Sequence, residues 1–252
     1  MINSQETNKW IRHRKNNLQA RMRIFCFPYA GGSALSFRTW ADNLPHFIEV
    51  FPIEMPGRGV RLSEPPFHQI SPLVEEISYA IHPYLDIPFA FFGHSLGALI
   101  SFELARFVRK TYALNPVHLF VSGRGAPQVI EHNKIHHLSD AEFLEALRRF
   151  NGTPKKVLES AELMQLLLPT LRADLMINES YTYTVEPPLD CPITVFGGLQ
   201  DPLVNRDDME AWKEHTLSSF SLHLLPGDHF FINTAQYFLL QLINKTVTAG
   251  VK

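Results

Sequence analysis

Apolar residues gather in six short runs along this chain, and the stretches between them carry apolar positions at helical spacing. The runs predict strands near 23–28, 48–53, 88–93, 117–122, 192–197 and 220–225, with helices after most of them. Pro88-Phe89-Ala90-Phe91-Phe92 has no polar position and reads as a buried strand, while Ala98-Leu99-Ile100-Ser101-Phe102-Glu103-Leu104-Ala105-Arg106 reads as the helix that follows it. A strand–helix alternation of this kind predicts an α/β fold: a mainly parallel sheet covered by helices on both faces. Such sheets bind ligands at the carboxyl ends of their strands.

One interval breaks the rhythm. Between the strand ending near Ser122 and the one starting at Pro192 lie roughly seventy residues, too many for a bare loop. In Leu138-Ser139-Asp140-Ala141-Glu142, Ser139 is placed to cap a helix and Glu142 to close a capping box. A second helix is expected over Ala161–Leu168, broken at Pro169, and a third from near Thr170, carrying Leu171, Leu175, Met176 and Ile177. A further helix is expected from Ser33 to Leu44.

The chemistry enters at Gly93-His94-Ser95-Leu96-Gly97, a Gly-x-Ser-x-Gly pattern set between strand and helix. A sharp turn there strains the serine and exposes its hydroxyl, and side chains at Gly93 or Gly97 would strike neighbouring backbone. A nucleophilic serine needs a base and a carboxylate to orient that base, in the chain order Ser, acid, His. Asp201, in the loop after the penultimate strand, is the candidate acid. His229, after the last strand in Gly227-Asp228-His229-Phe230-Phe231, is the candidate base.

Other histidines fit less well. His94 lies inside the turn itself, and His118 and His223 fall within strands. His132, His136 and His137 have the spacing of metal ligands, but no cysteine or carboxylate cluster completes a set, so no metal site is expected. Oxyanion donors are expected from the backbone N–H of Leu96, which opens the helix, and of Ala30, in the glycine loop Pro28-Tyr29-Ala30-Gly31-Gly32-Ser33. Arg58, in Met55-Pro56-Gly57-Arg58-Gly59, has two readings: a phosphate contact at the substrate entrance, or a structural ion pair, which is the simpler.

Taken in order, Phe27-Pro28-Tyr29-Ala30-Gly31-Gly32, Met55-Pro56-Gly57-Arg58-Gly59, Gly93-His94-Ser95-Leu96-Gly97-Ala98 and Gly227-Asp228-His229-Phe230-Phe231 resemble the type II thioesterases, which edit nonribosomal peptide and polyketide synthases. The resemblance spans roughly Met22 to Lys245. It implies an α/β-hydrolase fold, with the triad on Ser95, Asp201 and His229 and the oxyanion donors on Ala30 and Leu96. It also implies that the substrate is an acyl group on the phosphopantetheine arm of an acyl or peptidyl carrier protein, with no cofactor of the protein's own. A medium-chain fatty acyl-carrier thioesterase and a small-molecule carboxylesterase are the alternatives. Insertions at this place in a hydrolase sheet tend to form a lid, so about 127–185 is expected to cover the serine, with Leu163, Met164, Leu167 and Met176 lining an acyl pocket or cover.

Composition adds limits. At 252 residues and 45% hydrophobic, the chain can bury one substantial core, expected over 22–248. Lys9, Arg12, Arg14, Lys15, Arg21 and Arg23 face only Glu6 in the first 23 residues, leaving 17 basic and 24 acidic residues beyond them. Residues 1–21 are therefore expected as a flexible basic tail, with contact to an acidic carrier as a second reading. Cys26 and Cys191 read as core residues rather than a disulfide. With no long apolar run and a polar start, the chain is expected in the cytoplasm, without membrane or nucleic-acid partners.

Overall fold

A computed structural model describes residues 8–130, 134–150, 152 and 155–250. Its centre is a six-stranded sheet of β1 (Met22–Phe27), β2 (Ile48–Pro52), β3 (Phe89–His94), β4 (His118–Ser122), β5 (Ile193–Gly198) and β6 (Phe220–Leu225), in the order β2-β1-β3-β4-β5-β6. Every pairing between these strands is parallel. All six fall where the apolar runs place them.

The helices are α1 (Ile70–Ile81), α2 (Leu96–Tyr112), α3 (Asp140–Phe150), α4 (Lys155–Leu158), α5 (Ala161–Ser180), α6 (Arg206–Glu210), α7 (Phe231–Thr234) and α8 (Gln236–Gly250). The strand pleat divides the core in two. Phe25, Phe51, Phe91, Val121 and Val195 pack with Ile77 and Ile81 of α1 and Ile100, Leu104 and Val108 of α2. Their strand neighbours Ile24, Val50, Ala90, Phe92, Phe120 and Phe196 pack on the opposite face with Phe37, Trp40 and the α8 residues Leu239, Leu240 and Ile243. A third, smaller cluster (Ile135, Phe143, Leu147, Met164, Leu171) holds the insertion together.

The order of the strands creates the crevice. From β1 the chain runs outward to β2, and from β3 it runs the other way to β4, so the loops leaving the adjacent ends of β1 and β3 part. Topological switch points of this kind are where ligands enter doubly wound sheets. Ala30 follows β1 and Ser95 follows β3.

Three expectations need correction. The segment from Ser33 to Leu44 forms two 3₁₀ turns, Ala34–Phe37 and Trp40–Asp42, rather than an α-helix. Phe37 ends the first turn and Trp40 opens the second, and both are fully buried against the sheet. Next, α5 runs unbroken through Pro169. The proline removes one helical hydrogen bond, but Thr170, Leu171, Ala173, Asp174 and Ile177 are all buried just beyond it, and that packing carries the helix on.

The third concerns the basic segment. Residues 8–21, expected as a flexible tail, lie against the body: Trp10 is buried, Ile11 bridges Ile53, and Arg14 meets the buried Glu49 at 2.7 Å. Lys9 and Lys15 are paired with Glu64 and Asp42, so much of the positive charge is answered within the chain. Residues 1–7 lie outside the described set. Elsewhere Ser139 and Glu142 make the expected reciprocal cap of α3, with Glu142 N–H donating to Ser139 Oγ at 3.4 Å and Ser139 N–H to Glu142 Oε2 at 3.1 Å. Both cysteines are free and buried, and no helix among the described residues is long and apolar enough to cross a membrane.

Buried imidazoles make the fold sensitive to acid. His118 donates to or accepts from Thr194 Oγ1 at 2.8 Å and stacks on Phe120, and burial brings its pKa down to about 4. His215, against Phe102, Trp212 and Tyr183, is lowered to about 4 by the same cause. The unfolded chain therefore binds protons that the folded chain refuses between about pH 6.5 and 4, so stability falls as pH falls through that window. Thermal melts at fixed ionic strength should show Tm dropping from pH 6.5 to 4.5, with a shallower slope for His118→Gln. A flat Tm over that range would contradict this.

Candidate active site

Ser95 sits at the strand–helix junction with φ 54° and ψ −114°, a backbone conformation costly for any residue with a side chain. It persists because everything around it is fixed. Ser95 N–H donates to the Ser122 carbonyl at 2.7 Å, and its own carbonyl accepts the Ala98 N–H at 3.0 Å. A Cβ on Gly97 would strike the Phe27 carbonyl, and one on Gly93 would strike Gly97, so α2 starts in direct backbone contact with β1 and β3. The expected steric role of both glycines is met.

At the ends of β5 and β6 two loops are tied together. Leu199 N–H donates to the Leu225 carbonyl at 2.8 Å, Gln200 N–H to the Gly227 carbonyl at 3.0 Å, and Gly227 N–H back to Gln200 Oε1 at 2.8 Å. This brings Asp201 Oδ2 to 2.8 Å from His229 Nδ1, with the carboxylate side chain fully shielded and the imidazole 7% exposed. Asp201 Oδ1 accepts the Leu203 N–H at 2.8 Å, which fixes the rotation of the carboxylate. With Nδ1 engaged, Nε2 is the nitrogen left for proton transfer.

Ser95 and His229 line one cavity of ≈ 270 Å³, together with Tyr29, Ala30 and Phe230. Ala30, in the loop after β1, thus borders the same space as Ser95. Leu96 is not among the lining residues; its N–H heads α2 directly after Ser95, where first-turn amides have no helical acceptor and the helix field favours negative charge. The sequence-expected residues Ser95, Ala30 and His229 therefore meet at one cavity, with Asp201 behind His229.

His94 neighbours this centre, its ring 5.3 Å from that of His229, and its Nδ1 is 2.8 Å from Ser122 Oγ. Complete burial pushes its pKa well below the ordinary histidine range, and the nearby His229 adds to that, so it stays neutral. His223, a strand residue of β6, stacks on Phe196 of β5. His136 Nδ1 lies 2.6 Å from the buried Glu179, with His137 beside it; His132 lies outside the described residues. Among the described residues no three ligand-type side chains gather in a metal-binding cluster.

The expectation for the acyl pocket is corrected. Leu163, Met164, Leu167 and Met176 do not line the cavity. Met164 is buried within the insertion's own cluster and Leu167 packs against it, while Leu163 and Met176 are 44% and 38% exposed. The wall includes instead Leu171, Leu175, Asn178 and Glu179, one face of α5 at i, i+4, i+7 and i+8, together with Val129, Ile130 and Leu147. All four lie beyond Pro169, in the helix expected from near Thr170, so their shared face follows from helical spacing; that this face turns to the cavity is set by tertiary packing. Arg58 proves to be the structural ion pair: it is buried and binds Asp174 of α5 through both nitrogens at 2.7 Å.

A thioesterase-domain family model matches residues 22–247. The chain is 47% identical over 244 residues to the linear gramicidin dehydrogenase LgrE of Brevibacillus parabrevis, covering 95% of this chain and 93% of that protein. It is 47% identical over 241 residues to the gramicidin S biosynthesis protein GrsT of Aneurinibacillus migulanus, covering 95% and 94%. Among solved structures, the type II thioesterase BorB from the borrelidin biosynthetic cluster superposes with a TM-score of 0.85 at 34% identity, over 94% of this chain and 97% of that one. With its parallel sheet, its strained serine turn and this match along nearly its full length, the chain belongs to the thioesterase family, in the type II branch of the α/β-hydrolase fold.

Proposed function

We propose that Ser95, His229 and Asp201 form the catalytic triad of a thioesterase that releases acyl groups from carrier-protein phosphopantetheine arms in nonribosomal peptide or polyketide synthesis. The observation that carries the triad is the 2.8 Å Asp201–His229 bond beside a cavity headed by Ser95. In the first step His229 Nε2 takes the Ser95 proton as Oγ bonds to the thioester carbon, and the oxyanion lies against the N–H groups of Ala30 and Leu96. The C–S bond then breaks, and the imidazolium returns its proton to the pantetheine thiol. Water repeats the sequence on the acyl-serine and leaves a carboxylic acid. No step calls for a cofactor.

Carrier-bound substrate rests on kinship with proteins named for gramicidin S and borrelidin biosynthesis. One relative's name is a dehydrogenase's. Here the loop after β1 reads Pro28-Tyr29-Ala30-Gly31-Gly32-Ser33, without the Gly-x-Gly-x-x-Gly spacing of a dinucleotide-binding turn, and β3 ends in the serine elbow. Hydrolysis fits these residues.

Cavity size supports short acyl groups: ≈ 270 Å³ lies just below the roughly 300–1,000 Å³ usual for ligand pockets. Comparing carrier proteins loaded with acetyl, longer acyl and aminoacyl groups, beside simple esters, tests the reading. Fastest release from short-acyl carriers is expected; a medium-chain optimum would mark chain termination, and ester preference a carboxylesterase. Leu175→Trp should narrow the cavity and lower kcat/KM for the longest accepted acyl group at least tenfold relative to acetyl, whereas Leu163→Trp should leave the chain-length profile unchanged. An unchanged profile for Leu175→Trp would remove α5 from the pocket wall.

A further inference from the structure

The buried pair Arg58–Asp174 ties three segments together. Asp174 Oδ2 accepts the Gly31 N–H at 2.7 Å and Arg58 Nη1 at 2.7 Å, and Oδ1 accepts Arg58 Nη2 at 2.7 Å. Arg58 Nη1 also donates to the Gly32 carbonyl at 3.1 Å, and Nε to the Pro56 carbonyl at 3.3 Å. The glycine loop after β1 is therefore held from its N–H at residue 31 and its carbonyl at residue 32. Ala30 lies immediately before, its methyl packed against the core.

Neighbouring α5 residues close the clamp. Gly31 takes φ 73°, and a Cβ there would strike Leu171 Cδ2, so the helix lies directly on the loop. Thr170 Oγ1 donates to the Gly57 carbonyl at 2.7 Å, fixing the loop that carries Arg58. Thus α5 uses one face, Leu171 and Leu175, as cavity wall, and the adjacent Thr170 and Asp174 to grip both glycine loops. We infer that Asp174 and Arg58 are positioning residues that hold the Ala30 N–H in register with the oxyanion, making catalysis depend on the seating of the insertion helix. The inference rests on the triad and oxyanion reading above.

Hydrogen-bond donors aimed at an oxyanion lose their effect when displaced, and removal of one costs about 10²–10³-fold in kcat. Asp174→Asn keeps the shape and an acceptor but removes the charge that gathers Arg58 and the Gly31 N–H. Purified Asp174→Asn and Arg58→Lys are compared with the native protein in kcat and KM for an acyl-carrier, and in affinity for an acyl trifluoromethyl ketone, whose serine adduct places an oxyanion in the same position. Folded enzyme is counted by complete fluorophosphonate labelling.

Per labelled molecule, Asp174→Asn is expected to lose about 10²-fold in kcat with KM within about twofold, and to weaken the ketone by a similar factor. Arg58→Lys, which cannot bind both carboxylate oxygens in parallel, should lose at least about fivefold in the same pattern. A kcat per labelled molecule within about threefold of native for Asp174→Asn overturns the inference, as does loss confined to Tm. If Asp174→Asn does not fold, Arg58→Lys decides alone, and an unchanged kcat overturns it. Ser95→Ala in parallel separates the two readings: an inert Ser95→Ala beside an unaffected Asp174→Asn removes the positioning role and leaves the triad.

Discussion

Ser95→Ala should lower acyl-carrier hydrolysis about a millionfold while leaving the melting temperature close to native. The size follows from the chemistry: without Oγ there is no nucleophile for His229 to activate, and what remains is binding and oxyanion stabilisation of direct attack by water. The structural cost is small, because the constraints on residue 95 act through its backbone, the amide bonded to Ser122 and the carbonyl to Ala98. Alanine in place of serine meets the same φ of 54° with the same Cβ. Steady-state release of free acid, measured with enough enzyme to detect slow turnover, checks the figure. A loss of only ten- or hundredfold would show that another group attacks the thioester.

Asp201→Asn should lower kcat about ten-thousandfold and spare the fold. The carboxylate is fully shielded and accepts from His229 Nδ1 and from Leu203 N–H, so it fixes which imidazole nitrogen carries the proton. An amide of the same shape can present its N–H to Nδ1 instead, which moves the proton to Nε2 and leaves the base with none of its lone pair toward Ser95. The same variant also loses the charge that steadies the imidazolium in each transition state. Activity should recover in part as pH rises, since hydroxide can substitute for the missing base. A pH profile parallel to native, with a loss under tenfold, would remove Asp201 from the triad.

The strands were legible because each is a run with few polar residues bounded by turn chemistry, and β1, β3, β5 and β6 place Ala30, Ser95, Asp201 and His229 at their carboxyl ends. The elbow was legible because its two glycines answer a local backbone crowding that pattern alone conveys. What escaped was tertiary. Pro169 signals a break, yet the burial of Thr170, Leu171 and Asp174 outweighs one missing hydrogen bond, and which face of α5 turns to the cavity is set by its packing on the rest of the fold rather than by spacing. Arg58 and Asp174 lie 116 residues apart, and Gly31 and Asp174 143, distances over which no periodicity connects a loop to its clamp. The basic segment misled for a related reason: Arg14 and Arg23 look unopposed in sequence and meet Glu49 in space.

The most direct test is peptide mapping after reaction with a fluorophosphonate, with and without a saturating acylated carrier protein. A single modification on Ser95, slowed by the acyl-carrier, is the expected result. Modification elsewhere, none at all, or labelling of Ser95 that the acyl-carrier leaves unchanged would contradict a serine thioesterase acting on carrier-bound acyl groups.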